Sequence, residues 1–168
     1  SELVNFDRNT GVTGWRFDAA PRVGLDWSGP GYFLRPQAGY RYTSYSLGNT
    51  SPDTNDSPDR QLPFVTVDSG VVLERPSGSR GQRRITLEPR ALYLYTPFRN
   101  QDELPVFDTI VPDLNTVQLF RTTRYTGADR VSDANQLSIG VTSRLFETAT
   151  GTQFVALTLG QAFYFERT

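Results

Sequence analysis

The stretch WRFDAAPRVGLDW, Trp15 to Trp27, decides how the rest of the chain is read. Phe17, Ala19, Pro21, Val23 and Leu25 fall on one face, and Arg16, Asp18, Arg22 and Asp26 fall on the other. That is a period of two, the signature of a strand with two different environments on its two sides. A tryptophan stands at each end, twelve residues apart. At about 3.3 Å per residue and a tilt near 40°, that separation is about 30 Å, the height of an apolar membrane band with its aromatic girdles.

The same alternation returns in five further segments, giving about six strands at 14–28, 31–47, 62–76, 83–97, 133–147 and 152–167. Short connections at Ser28–Gly31, Pro76–Gln82 and Thr148–Thr152 carry the Gly and Pro of tight reversals. Long connections run over 48–61 and 98–132, so short and long alternate. Outer-membrane barrels show that parity, with short periplasmic turns and long external loops, and a soluble sandwich has no reason for it. Tyr40, Tyr42, Tyr93, Tyr95, Phe163 and Phe165 gather at the long-loop ends, and Tyr32, Phe146 and Phe154 at the short-turn ends. Pro21, Pro36 and Pro89 lie inside strands on the apolar face, where each predicts a bulge or a local weak point in pairing.

The fold class expected is therefore all-β: an antiparallel up-and-down transmembrane β-barrel. Six strands with long arginines on the inner face cannot close, since even eight leave room only for packed side chains or one small ligand. The chain reads as an open segment of a much larger barrel. No apolar run of spanning-helix length occurs, and no charged-then-apolar leader stands at Ser1, which places any export signal outside the segment.

Composition narrows function mostly by exclusion. The 168 residues hold no His and no Cys, which removes the usual general base, the soft metal ligands and the thiol nucleophile. Ser138 and Ser143 have no His to complete a triad, so no catalytic residue is expected. Asp53, Asn55, Asp56 and Asp59 have the composition of a calcium loop without its spacing or closing Glu, and no metal or other cofactor is expected. A net charge of -1 argues against nucleic acid as a partner. All 17 basic residues are arginine, a side chain suited to bidentate pairing with carboxylate or phosphate, although a GC-rich genome also produces that bias.

Three segments carry a family resemblance: LFRTTRYTGADRVSDANQLSIGVTSR (Leu119–Arg144), LEPRALYLYTPFRNQDELPVFDT (Leu87–Thr109) and LGQAFYFERT (Leu159–Thr168). They resemble the lipopolysaccharide-assembly outer-membrane proteins, the LptD (OstA/Imp) family, densely over the second half of the chain and by pattern alone before Gln82. The resemblance implies a place in the outer membrane of a Gram-negative bacterium and a non-enzymatic part in setting lipopolysaccharide into the outer leaflet. It implies a lipoprotein plug of the LptE type inside the barrel, and a periplasmic lipopolysaccharide bridge reached through parts this segment lacks. Those parts include the periplasmic domain, paired cysteines, seam strands and barrel closure.

Candidate site residues follow from the faces. Arg16, Asp18, Arg22, Asp26, Arg35, Arg41, Glu88, Arg90, Gln136, Arg144 and Gln161 are expected to face the lumen, as a possible lipopolysaccharide path or a self-paired wall, because a mid-membrane charge on the lipid side costs about 2–4 kcal/mol. Arg121, Arg124, Gly127, Asp129, Arg130, Asp133 and Asn135 are expected to hold the second long loop folded back over the lumen or against the partner. Two other readings share part of this pattern: a porin or channel segment, and a soluble β-sandwich ligand-binding domain.

Overall fold

The computed structural model describes residues 1–7, 13–48, 55–100, 104, 118–120 and 133–165. They form one antiparallel sheet: β1 (Glu2–Phe6), β2 (Thr13–Ala19), β3 (Arg22–Gly24), β4 (Trp27–Gly29), β5 (Tyr32–Gly48), β6 (Asp59–Val71), β7 (Leu73–Ser77), β8 (Arg83–Thr96), β9 (Ala134–Glu147) and β10 (Gln153–Tyr164). Chain neighbours are sheet neighbours, in the order β1-β2-β5-β6-β8-β9-β10. Strands β3 and β4 continue β2 along β5, and β7 continues β6 along β8. This is an up-and-down meander in which every pairing is a hairpin. At 17 residues, β5 is about 55 Å long and outreaches an apolar band even when tilted.

Two boundaries differ from the sequence reading. Residues 2–6, outside the six segments expected as strands, form strand β1 paired with β2, Glu2 opposite Asp18 and Phe6 opposite Gly14. The single strand expected over 14–28 is three pieces, and that expected over 62–76 is two.

Proline explains these breaks, and none of them is a bulge. Along β5 the partners run from Thr13 opposite Gly48 to Gly29 opposite Tyr32 without a shift of register. At the first gap Tyr40 N donates to Pro21 O (3.1 Å), and at the second Leu25 N donates to Pro36 O (3.0 Å). Each proline lacks the N–H that would return the second bond of its pair. Pro89 acts likewise on β8: the register places it opposite Val71, beside the gap between β6 and β7. The same register carried outward sets Pro63 opposite Pro97, two positions beyond the last rung of the β6–β8 ladder at Val65 and Tyr95. Among the described residues a true register shift occurs only between Gln153 and Val155, at the start of β10. The preceding turn closes with Gly151 at φ 73°, a left-handed conformation that glycine adopts without a Cβ penalty.

The register also fixes the faces. Trp15, Phe17, Val23, Trp27, Val65, Leu87, Val141, Leu157 and Leu159 point outward and are exposed, Leu159 at 67%. So continuous an apolar face needs a cover other than water. The inward face holds the buried polar groups, among them Arg16, Asp18, Thr43 and Ser138. Toward the long-loop end it also buries Tyr45, Leu62, Leu92 and Leu94. Leu104 and Leu119, from the connection between β8 and β9, are buried as well.

Candidate functional site

The inward face is a lattice of charges paired from strand to strand. Arg41 on β5 grips Asp18 on β2 with two bonds, Nε to Oδ2 at 2.8 Å and Nη2 to Oδ1 at 3.1 Å. The Thr43 hydroxyl donates to Asp18 Oδ2 at 2.7 Å and accepts from Arg60 Nη2 at 2.9 Å, so the cluster crosses three strands. Arg90 on β8 holds Asp68 on β6 in the same two-pronged manner, at 2.9 and 2.8 Å. Arg144 on β9 pairs with Glu88 on β8, which also accepts from Thr86 Oγ1 at 2.7 Å. Arg35 Nε lies 3.1 Å from Asp26, Arg84 Nη1 3.4 Å from Glu74 and Arg16 Nη2 3.8 Å from Glu2. A planar guanidinium can satisfy a carboxylate from the adjacent strand in this bidentate way.

Glycines on the same face give room for large side chains. Phe33 lies over Gly70, its register partner, and Phe64 over Gly39. Aromatic cover of a strand glycine restores packing that the missing side chain forgoes. The third case is supplied by the long connection: a short 3-10 turn, Gln118–Phe120, descends onto the inward face. A Cβ at Gly140 would come within 2.8 Å of Phe120 Cζ, and one at Gly160 would overlap Leu119. The Arg90 guanidinium lies 4.5 Å from the centre of the Phe120 ring. Beside it a groove of 440 Å³ opens, lined by Arg35, Glu88, Arg90, Phe120, Thr142 and Arg144.

Of the residues expected on the lumen side, Arg16, Asp18, Arg22, Asp26, Arg35, Arg41, Glu88, Arg90, Gln136 and Arg144 hold inward register positions. Gln161 does not. It pairs with Ile139 in the outward series of Leu157, Leu159 and Phe163, so its polarity misassigned it. Phe146, expected in an aromatic girdle, faces inward opposite Arg84, whose guanidinium lies 5.4 Å from the ring centre. Asn135, expected in the loop, is a β9 residue whose Oδ1 accepts from Tyr93 Oη at 3.0 Å on the outward side. Asp133 is exposed just before β9, and Arg121, Arg124, Gly127, Asp129 and Arg130 lie outside the described residues. The sequence reading missed Thr43, Arg60, Leu119 and Phe120. Gly140 and Gly160, both mid-strand, were the available signal of a close approach.

Apolar residues outward, paired charges inward and hairpins throughout define a wall of an outer-membrane β-barrel. The profile described as LptD, LPS transport system D, matches residues 1–168. The LPS-assembly protein LptD of Xanthomonas campestris pv. campestris (strain 8004) is 46% identical over 159 residues, covering 91% of this chain and 20% of the relative. That of Xylella fastidiosa (strain Temecula1) is 46% identical over 157 residues, with the same shares. The chain belongs to the LptD family, a family of the Gram-negative outer membrane. It spans about a fifth of the length of the curated relatives it matches.

Proposed function

We propose that this chain is a stretch of barrel wall in an outer-membrane machine that assembles lipopolysaccharide into the outer leaflet, without covalent chemistry. The observation that carries the reading is the inward face: its carboxylates are taken up by arginines, and Leu119 and Phe120 of the long connection sit on it. A wall so neutralised and covered suits a lumen that is occupied and opened on demand better than a standing aqueous pore. The polar groove beside Phe120 offers paired cations and hydroxyls to a polar, anionic cargo, and lipopolysaccharide has that character.

The same reading takes the long connection as a cover of the lumen and a contact for a lipoprotein plug of the LptE type. A periplasmic bridge would deliver lipopolysaccharide through parts of the protein outside this chain. Depleting the full-length protein in its own bacterium tests the function. Newly made lipopolysaccharide should stop reaching the cell surface while other outer-membrane proteins still insert, and undiminished arrival would overturn the reading. A steady open conductance of the full-length protein with its partners, in a planar bilayer, would favour the porin alternative.

A further inference from the structure

Most of the inward arginines of this wall are paired with carboxylates, and two outward ones are not. Six inward ones, Arg16, Arg35, Arg41, Arg84, Arg90 and Arg144, each face a carboxylate across the sheet. Arg75 and Arg83 point the other way. Arg75 pairs in register with Ile85, an outward and exposed residue, and Arg83 lies two positions before Ile85 on β8. The two guanidiniums are therefore diagonal neighbours on the apolar face. Both are exposed, and among the described residues neither forms an ion pair. Glu147, the register partner of Arg83 on β9, instead accepts from the Thr150 hydroxyl.

Their height on the wall is also informative. Arg75 stands three residues before the turn at Gly78 and Arg83 directly after it. Trp27, Tyr32 and Phe154 are likewise outward or exposed and within three residues of their own short turns. Three residues of tilted strand are about 8 Å along the membrane normal. Arg75, Arg83 and Phe154, close together in the register, thus stand at the short-turn end of the wall, where aromatic rings meet headgroups. The Arg83 guanidinium lies 5.8 Å from the centre of the Phe154 ring, and Leu73, Leu87 and Val155 form an exposed apolar surface beside it.

We propose that Arg75 and Arg83 bind the phosphate of an anionic glycerophospholipid in the leaflet on the short-turn side, with its acyl chains along Leu73, Leu87 and Val155. Two unpaired guanidiniums at headgroup level complement one phosphodiester, and snorkelling lets each stem cover apolar surface while its head reaches the phosphate. This rests on the outward face being the lipid face.

The test uses the full-length protein in detergent micelles, with native mass spectrometry after addition of phosphatidylglycerol or of phosphatidylethanolamine. Arg75→Gln and Arg83→Gln should each lower retained phosphatidylglycerol about five-fold relative to the wild type, the size of one surface arginine's attraction. Arg83→Lys should keep part of the binding. Arg84→Gln, at the same hairpin but inward, should leave it unchanged. Equal retention in the wild type and both glutamine variants would overturn the site. Displacement of the lipid by millimolar inorganic phosphate would assign it to a soluble anion instead. Flotation of each variant with lipid vesicles separates the two failures, because a protein that does not float undermines the barrel reading itself.

Discussion

Val141 and Thr142 are neighbours in one strand, yet they face different solvents. Val141 is exposed on a surface shared with Val65, Leu87 and Leu159, whereas Thr142 turns inward to share a hydroxyl contact with Thr158 at 3.0 Å. The two faces of this sheet differ in how they satisfy polarity. The outer face excludes most charge and takes Pro21, Pro36, Pro63 and Pro89, because a proline ring needs no partner there. The inner face admits charge and neutralises each admitted carboxylate from the next strand. A single period-two pattern therefore encodes both the lipid contact and the lumen chemistry, and a substitution should be judged by the face on which it falls.

The strongest way to break that division is to move a charge across it. Leu159→Arg should destabilise the full-length protein by about 2–4 kcal/mol, and Thr158→Arg, one residue away on the inner face, by less than half as much. Urea unfolding in lipid vesicles measures both, and equal losses would mean the faces are not distinct. A smaller effect compares two parts of the inner face. Asp18→Ala strips partners from Arg41 and Thr43 in a buried cluster and should cost about 2 kcal/mol. Glu74→Ala removes one partner from an exposed pair with Arg84 and should cost under about 1 kcal/mol. The smallest effect sharpens the account of proline. Pro89→Ala should leave stability within about 1 kcal/mol, since one gained hydrogen bond offsets added freedom in the unfolded chain. It should nevertheless slow amide hydrogen exchange at Val71, the register partner of Pro89.

Much of the wall is legible in the sequence. Arg16, Asp18 and Phe17 alternate in polarity, so their faces follow from the strand period alone. Where polarity contrast fails, the reading fails with it. In LYLYT, Leu92–Thr96, Leu92 and Leu94 alternate with tyrosines, and nothing in the residues says that the leucines are the buried set. Gln161 misled in the opposite sense, being a polar residue in an outward series whose phase is set by the shift between Gln153 and Val155. The proline gaps were foreseen as weak points, but their bulge-free register depends on which pair of each ladder the proline occupies, a property of two strands together. The cluster of Thr43, Arg60 and Asp18 joins residues far apart in sequence and could not be read from any one of them.

The uneven ladders give the wall a mechanical grain. Strands β8 and β9 share fourteen paired positions without a break, whereas β6 and β7 together offer β8 eleven, divided at Val71 and Val72 and bounded outside by Pro63 and Pro97. Pulled from its C-terminal side by a cantilever, the sheet would release β8 and β9 together as a stiff hairpin. The force record would show that rupture at the line of prolines, with the fourteen-rung pair parting later and at higher load.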